Sequence, residues 1–362
     1  MSKTPTARSQ PPSERPEDDL PSASEEIAEE SAAPRRAGRW RWAIGIVVSI
    51  FFLWVAFRQV SDVGHLAEAL GSANYLWLAP AVALYLLGLL VRGLRWRILL
   101  LPIARIPTGS LFGILSIGFL VNNVLPARLG EIARAILVGR RHDISRSAAL
   151  ATIVVERIFD GVVMLLFLGV ASATAGARVA PDWLELLVPL TAAAFGGAGI
   201  ALAVLALAPT FALGLAARLL APFPPRLRAS ALSVANKFIT GLGVLQDLEL
   251  AAGVLATSIV AWLLEMGAYV SVGQAFRLTG ELNAYLLALA VANLGTMIPS
   301  SPGYVGTFDA LVQRSLAVFA VPAAPALAYA FVLHLAIWLP PTLMGFFYLW
   351  RYNLSLSRLT RE

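Results

Sequence analysis

Cysteine is absent from all 362 residues. The chain therefore has no disulfide framework and no thiol chemistry. Charge is scarce: 14% of residues are charged, against about a quarter in soluble domains. Lysine is almost missing, with two among 28 basic residues. The three histidines, His65, His142 and His334, are too scattered to form a metal set. There is no zinc-ligand spacing, no phosphate-binding glycine loop and no G-x-S-x-G, so no cofactor, metal or catalytic residue is assigned. The short alternating segments of a membrane barrel are also lacking.

What remains is apolar sequence. Hydrophobic residues make up 58% of the chain, and mean hydropathy is +0.73. Several runs approach the roughly 20 residues that cross a bilayer. These properties predict an all-α polytopic membrane protein. Residues 1–34 differ from the rest. They are rich in Pro, Ser and Glu and hold three basic and eight acidic residues, leaving 25 and 14 of the chain's 28 and 22 for the remainder. No apolar face can form there, so a disordered tail is expected. The segment is too polar for a signal peptide.

Six full crossings are expected, near 42–59, 74–91, 148–175, 184–208, 251–273 and 325–350. Two shorter apolar stretches, near 108–138 and 284–320, are interrupted by proline and glycine. If both are re-entrant hairpins, basic residues sort by side. Clusters at 35–41, 92–105, 140–146, 218–237 and 351–361 place 18 inside, and only Arg58, Arg178 and Arg277 fall outside. That asymmetry places both termini in the cytoplasm, in the cell's inner membrane. A first hairpin that crossed fully would remove it.

The tip of the first hairpin reads NNVLPARLGE, Asn122 to Glu131. The second reads TMIPSSPGYVG, Thr296 to Gly306. Irregular backbone at membrane depth is tolerated only when buried in protein or lining a wet cavity, so the polar tips imply a cavity. Aligning Pro126 with Pro299 places Gly130 on Gly303. The hairpins open to opposite sides, the pattern of an inverted repeat with a site at the repeat interface.

NNVLPARLGEIARAILV, SAALATIVVERIFDGVV and IPSSPGYVGTFDAL, in that order, resemble the flippase-like membrane domain of lysylphosphatidylglycerol synthases and its stand-alone relatives. The resemblance covers about 40–350 and makes 35–362 one flippase-like transmembrane domain. It implies translocation of a lipid or glycolipid, or assistance to it. Bifunctional members join this domain to a soluble aminoacyltransferase. This chain ends at Glu362, so the transferase, and with it an enzymatic role, is not expected.

Candidate site residues follow from charge placed where it is costly. Arg128, Glu131 and Arg134 sit on the first tip with Asn122, Asn123 and Gly130. Guanidiniums beside a helix start can hold a phosphate, and the alternative is a salt-bridged tip. Glu156, Arg157 and Asp160 open the third crossing at spacings that share a helix face. Ionisable groups there face a cavity and pair, either to hold a headgroup or to lock hairpin to helix. Glu265 sits mid-crossing with no basic residue within a turn. It is a candidate for proton coupling, or else a hydrogen bond between helices. Ser300, Ser301, Gly303, Tyr304, Gly306, Thr307 and Asp309 form the second tip, where glycine admits a headgroup and Thr307 or Asp309 can cap the next helix. Residues 226–246, with Leu227, Ala231, Val234, Phe238, Leu242 and Leu245 on one face, predict an interfacial amphipathic helix. Pro340 and Pro341 predict a kink in the last crossing.

The function expected is movement or binding of a lipid with an anionic headgroup, a phospholipid or polyprenyl-phosphate glycolipid. The alternatives are an intramembrane lipid-modifying enzyme and a membrane scaffold. Partners are membrane lipids, with self-association a further expectation. Nucleic acid is not needed to explain a pI near 10.

Overall fold

Proline, glycine and charge interrupt the apolar runs at uneven intervals, and helices of uneven length result. The computed structural model describes residues 35–60, 63–125, 128–174, 182–278, 282–296 and 302–354, with side chains from Ile46 onward except at 173–174, 182–185 and 187. The 1–34 tail, Ser300 and Ser301 lie outside the described residues. Two units divide between Arg41 and Trp42; the first is described only over 35–41, as helix. The described residues hold thirteen α-helices and no strand. These are α1 (Arg35–Phe57), α2 (Val63–Ser72), α3 (Leu78–Leu100), α4 (Thr108–Val124), α5 (Gly130–His142), α6 (Arg146–Thr174), α7 (Asp182–Leu207), α8 (Pro209–Leu219), α9 (Pro225–Gly241), α10 (Leu248–Ala275), α11 (Leu282–Gly295), α12 (Thr307–Ala317) and α13 (Ala323–Arg351).

Four stretches are long and apolar enough to cross a membrane: α3 with the turn before it, α7 from Val188, α10 and α13. The chain is an all-α multi-pass membrane protein. Helix α6 has 29 residues, about 44 Å, but carries Glu156, Arg157 and Asp160 in its first half. Helices α4, α5, α11 and α12 have 17, 13, 14 and 11 residues. Their lengths, about 26, 20, 21 and 17 Å, fall short of a hydrocarbon core of about 30 Å. α4 packs against α5 and α11 against α12, so each broken stretch folds as a helical hairpin.

The contacts of these elements exchange in pairs. α3 packs on α10; α4 packs on α13 while α11 packs on α6; α5 meets α6 while α12 meets α13. Replacing α3, α4, α5 and α6 by α10, α11, α12 and α13 maps this pattern onto itself. That is the contact pattern an inverted repeat would give, each hairpin lodged against the span that closes the other half. The residue register is looser. Gly130 is the first residue of α5, whereas Gly303 lies in a turn before α12, which begins at Thr307.

Packing sustains the short helices. α11 is apolar apart from Asn283 and Asn293, and Ala284 to Ala292 are buried without a break, so the backbone over those residues is packed within protein. One apolar cluster surrounds the second hairpin and another the first, and α6 supplies Val163 and Phe167 to one and Ile153 and Val155 to the other. α3 and α10 approach closely where Gly88 faces the Ala261 carbonyl; an added Cβ would stand 3.3 Å from that oxygen.

Several boundaries differ from expectation. The second crossing continues to Leu100 instead of 91, because one helix face is lined by carboxylate partners that make arginine tolerable there. The predicted 226–246 helix ends at Gly241, and Leu242 and Val244 turn into the core. Its Leu227 and Val234 are more than half exposed. α13 runs uninterrupted through Pro340 and Pro341. α2 was not expected; its Leu66, Ala69 and Leu70 pack with Ala56 and Leu327.

Candidate functional site

The two hairpin tips and the first half of α6 enclose a cleft of about 930 Å³, its open mouth included. α3, α10 and α13 complete the wall. The floor is ionic. Glu156 is 1% exposed and takes three guanidiniums. Arg134 donates to both its oxygens, at 3.2 and 2.8 Å. Arg157 Nη2 lies 2.5 Å from Oε1, and Arg95 Nη2 3.0 Å from it. Asp160, one turn along α6, takes Arg95 Nη1 at 2.5 Å and the Trp262 indole N–H at 2.8 Å. Its other oxygen lies 3.3 Å from Arg157. Arg134 also stacks 4.2 Å over Trp96. Bidentate, stacked guanidinium is the form of positive charge that tolerates burial best.

A second pair lies across the cleft. Arg92 Nη2 donates to Glu265 Oε2 at 2.6 Å and stacks 4.6 Å over Trp262. Its Nη1 has no partner among the described residues. Glu265 is therefore not a lone acid: α3 supplies its cation, the inter-helix contact anticipated as the alternative.

The first tip is built differently. Arg128 holds φ +53°, a left-handed conformation that a non-glycine residue adopts at a cost of about 1–2 kcal/mol. Among the described residues its hydrogen bonds are long, 3.4 Å to Glu131 Oε1 and 3.4 Å to the Thr296 carbonyl; it lies 5.9 Å over the Tyr304 ring, and its side chain is 32% exposed. Glu131 Oε2 is unpartnered among the described residues. Arg128 is the left-handed residue among those described at this tip. Gly130 instead permits close approach: a Cβ there would collide with the Gly118 carbonyl and Asn122. Asn122 Oδ1 accepts the Gly130 N–H at 2.7 Å, so one donor of this helix start is already satisfied. Asn123 donates to Thr342 Oγ1 at 2.8 Å, tying the tip to α13.

Ten of the expected residues line the cleft: Asn122, Asn123, Arg128, Glu131, Arg134, Arg157, Asp160, Glu265, Gly303 and Tyr304. Glu156 lies beneath it as the hub. Gly130, Gly306, Thr307 and Asp309 stand behind the lining. Asp309 accepts the Gly306 N–H at 2.8 Å, the capping role anticipated for it. The wall also includes Arg92, Trp262, His334 and Trp338, which residue pattern alone did not single out. Arg92 and Arg95, counted among the arginines beyond the second crossing, are 4% and 0% exposed inside α3. Their spacing of three, facing the acids of α6 and α10, is the sequence feature that could have found them.

The description of the lysylphosphatidylglycerol synthase transmembrane region matches residues 42–345. The chain is 25% identical over 327 residues to glycosyltransferase AglD of Haloferax volcanii, covering 82% of this chain. It spans 52% of that relative, about half its length. No solved structure matches. The expectation that the chain is not an enzyme, drawn from its ending just after the last span, is corrected by this comparison: the relative is named for glycosyl transfer. With the match running through both hairpins, α6 and the last span, the chain belongs to the family of the lysylphosphatidylglycerol synthase transmembrane region.

Proposed function

We propose that the cleft binds the phosphate-bearing headgroup of a membrane lipid and moves it between leaflets, the tail staying in the bilayer. One observation carries this reading. Arg92, Arg95, Arg128, Arg134 and Arg157 stand against Glu131, Glu156, Asp160 and Glu265 around the cleft, five cations and four anions. The excess of one positive charge sits in the cluster of three arginines and two carboxylates, where Arg157 opens to the cleft. Uncompensated charge at low dielectric is costly, and a monoanionic phosphodiester would neutralise it.

The relative's name favours a second reading, group transfer between a sugar and a lipid phosphate in the same cleft. The unpartnered Glu131 carboxylate oxygen supports it, being placed to accept a proton. Proteoliposomes separate the two. Fluorescent phosphatidylglycerol should move between leaflets faster than phosphatidylcholine. A chemically altered lipid would favour transfer, and neither movement nor alteration would overturn both.

The orientation belongs to the same proposal. Both hairpins are re-entrant, and the first opens to the cytoplasm with the two termini, in the cell's inner membrane. Arg141 and Gln59 are exposed, and no native cysteine competes for label. A cysteine replacing Arg141 is expected to react with impermeant reagent only from the cytoplasm, and one replacing Gln59 only from outside. The reverse pattern would overturn the orientation.

A further inference from the structure

His334 of α13 reaches the second tip. Its Nδ1 lies 3.0 Å from Asp309 Oδ1, and its Nε2 lies 2.7 Å from the Gly303 carbonyl oxygen. A carbonyl has no proton to give, so Nε2 must donate. Asp309 already accepts the Gly306 N–H through Oδ2. The His334–Asp309 pair therefore holds one proton more than a neutral imidazole beside a carboxylate. This is true whether that proton sits on Nδ1 or on the carboxyl oxygen.

The bond to Gly303 fastens a left-handed stretch of backbone in which Tyr304 is the costly residue. Gly303, Tyr304 and Gly306 all have positive φ, of 70°, 61° and 84°. Tyr304 lines the cleft, as does the histidine itself. We infer that His334 is a proton-binding site that ties the second hairpin tip to the last span, and that proton and anion binding in the cleft reinforce one another.

The step is simple. One N–H proton leaves the ring for water in the cleft, and the pair passes from zero charge to minus one. The remaining N–H stays with the carboxylate, which accepts more strongly than a neutral carbonyl. Nε2 then presents a lone pair to the Gly303 oxygen, and the two acceptors repel. The tip is released. The added negative charge also cancels the cleft's excess cation, so headgroup affinity falls; by linkage, a bound anion favours the proton by the same factor. This second half rests on the lipid-phosphate reading, whereas the latch does not.

Other ionisable groups on elements packed against α13 do not substitute. α4 brings none. α3 and α10 bring Arg92 and Glu265, which bond each other at 2.6 Å. α2 brings His65 and Glu68 on its exposed side, and α12 brings Arg314 with Asp309. Among the described residues, Asp309 is the group that forms an ion pair with the ring.

Hydrogen–deuterium exchange of the peptide covering residues 302–306, corrected for intrinsic rate, tests the latch in the full purified chain. Between pH 5.5 and pH 8.0, opening is expected to rise roughly tenfold. His334→Gln, which keeps a donor but cannot titrate, should show no pH response. Equal corrected exchange at both pH values in the wild-type chain would overturn the inference, and so would an unchanged response in H334Q. Short-chain phosphatidylglycerol provides the second arm, binding more tightly at pH 5.5 in wild type and without pH dependence in H334Q. Absence of binding at either pH would sink the lipid-phosphate reading while the exchange result still decides the latch.

Discussion

Glu156→Gln is expected to destabilise the protein by about 3–5 kcal/mol. Glu156, 1% exposed, is the shared acceptor for Arg95, Arg134 and Arg157. Glutamine keeps the shape and removes the charge. Its amide NH₂ would then face guanidinium donors, and Asp160 would be left alone to offset three cations. Hydrophobic packing cannot compensate, because the three guanidiniums are held by α3, α5 and α6 and cannot all withdraw to solvent. Thermal unfolding in detergent should show a midpoint roughly 5–10 °C lower. A midpoint within a degree of wild type would mean that the arginines are neutralised by something other than Glu156, and the ionic floor would need to be redrawn.

Much of this architecture is legible in the residues. Proline and glycine inside short apolar runs mark both hairpins, because a break without a full membrane span on either side leaves few alternatives. Charges at i, i+1 and i+4 in ATIVVERIFDGVV mark the floor of the cleft, since such groups at that depth must pair. What sequence alone obscured was partnership across the fold. Arg92 follows the apolar run 74–91, and hydropathy treats an arginine there as the end of a crossing. Only Glu265, 173 residues from Arg92, and Asp160, 65 residues from Arg95, make these arginines part of the helix interior. Removing Arg92 and Arg95 from the inside count leaves 16 against three, so the predicted orientation does not depend on them. Glu265 looked solitary for the same reason. The close approach of Gly130 to Gly118 was equally hidden, because the need for a missing Cβ depends on the opposing helix. His334 was set aside as an isolated histidine, and its partners come from the other leg of a hairpin.

Arg128 and Arg134 share a tip but should answer differently to the same substitution. Arg134 is bidentate to Glu156, stacked on Trp96 and 4% exposed. Arg134→Gln should therefore behave as a broken buried pair, costing about 3–5 kcal/mol of stability, with headgroup binding per folded molecule falling less. Arg128 has a third of its side chain exposed to the cleft, contacts of 3.4 Å and a left-handed backbone. On the proposed reading, this loosely held charge is the one that meets the headgroup. Arg128→Gln should leave the unfolding midpoint nearly unchanged while removing a charge-assisted contact of about 1.5–3 kcal/mol. The most direct test of the cleft as an anionic-headgroup site is the affinity of purified wild-type protein and R128Q for short-chain phosphatidylglycerol, at fixed pH and normalised to folded protein. Saturable binding weakened roughly ten- to a hundredfold by R128Q is the predicted result. Equal affinity in the two proteins, or no saturable binding by wild type, would contradict it.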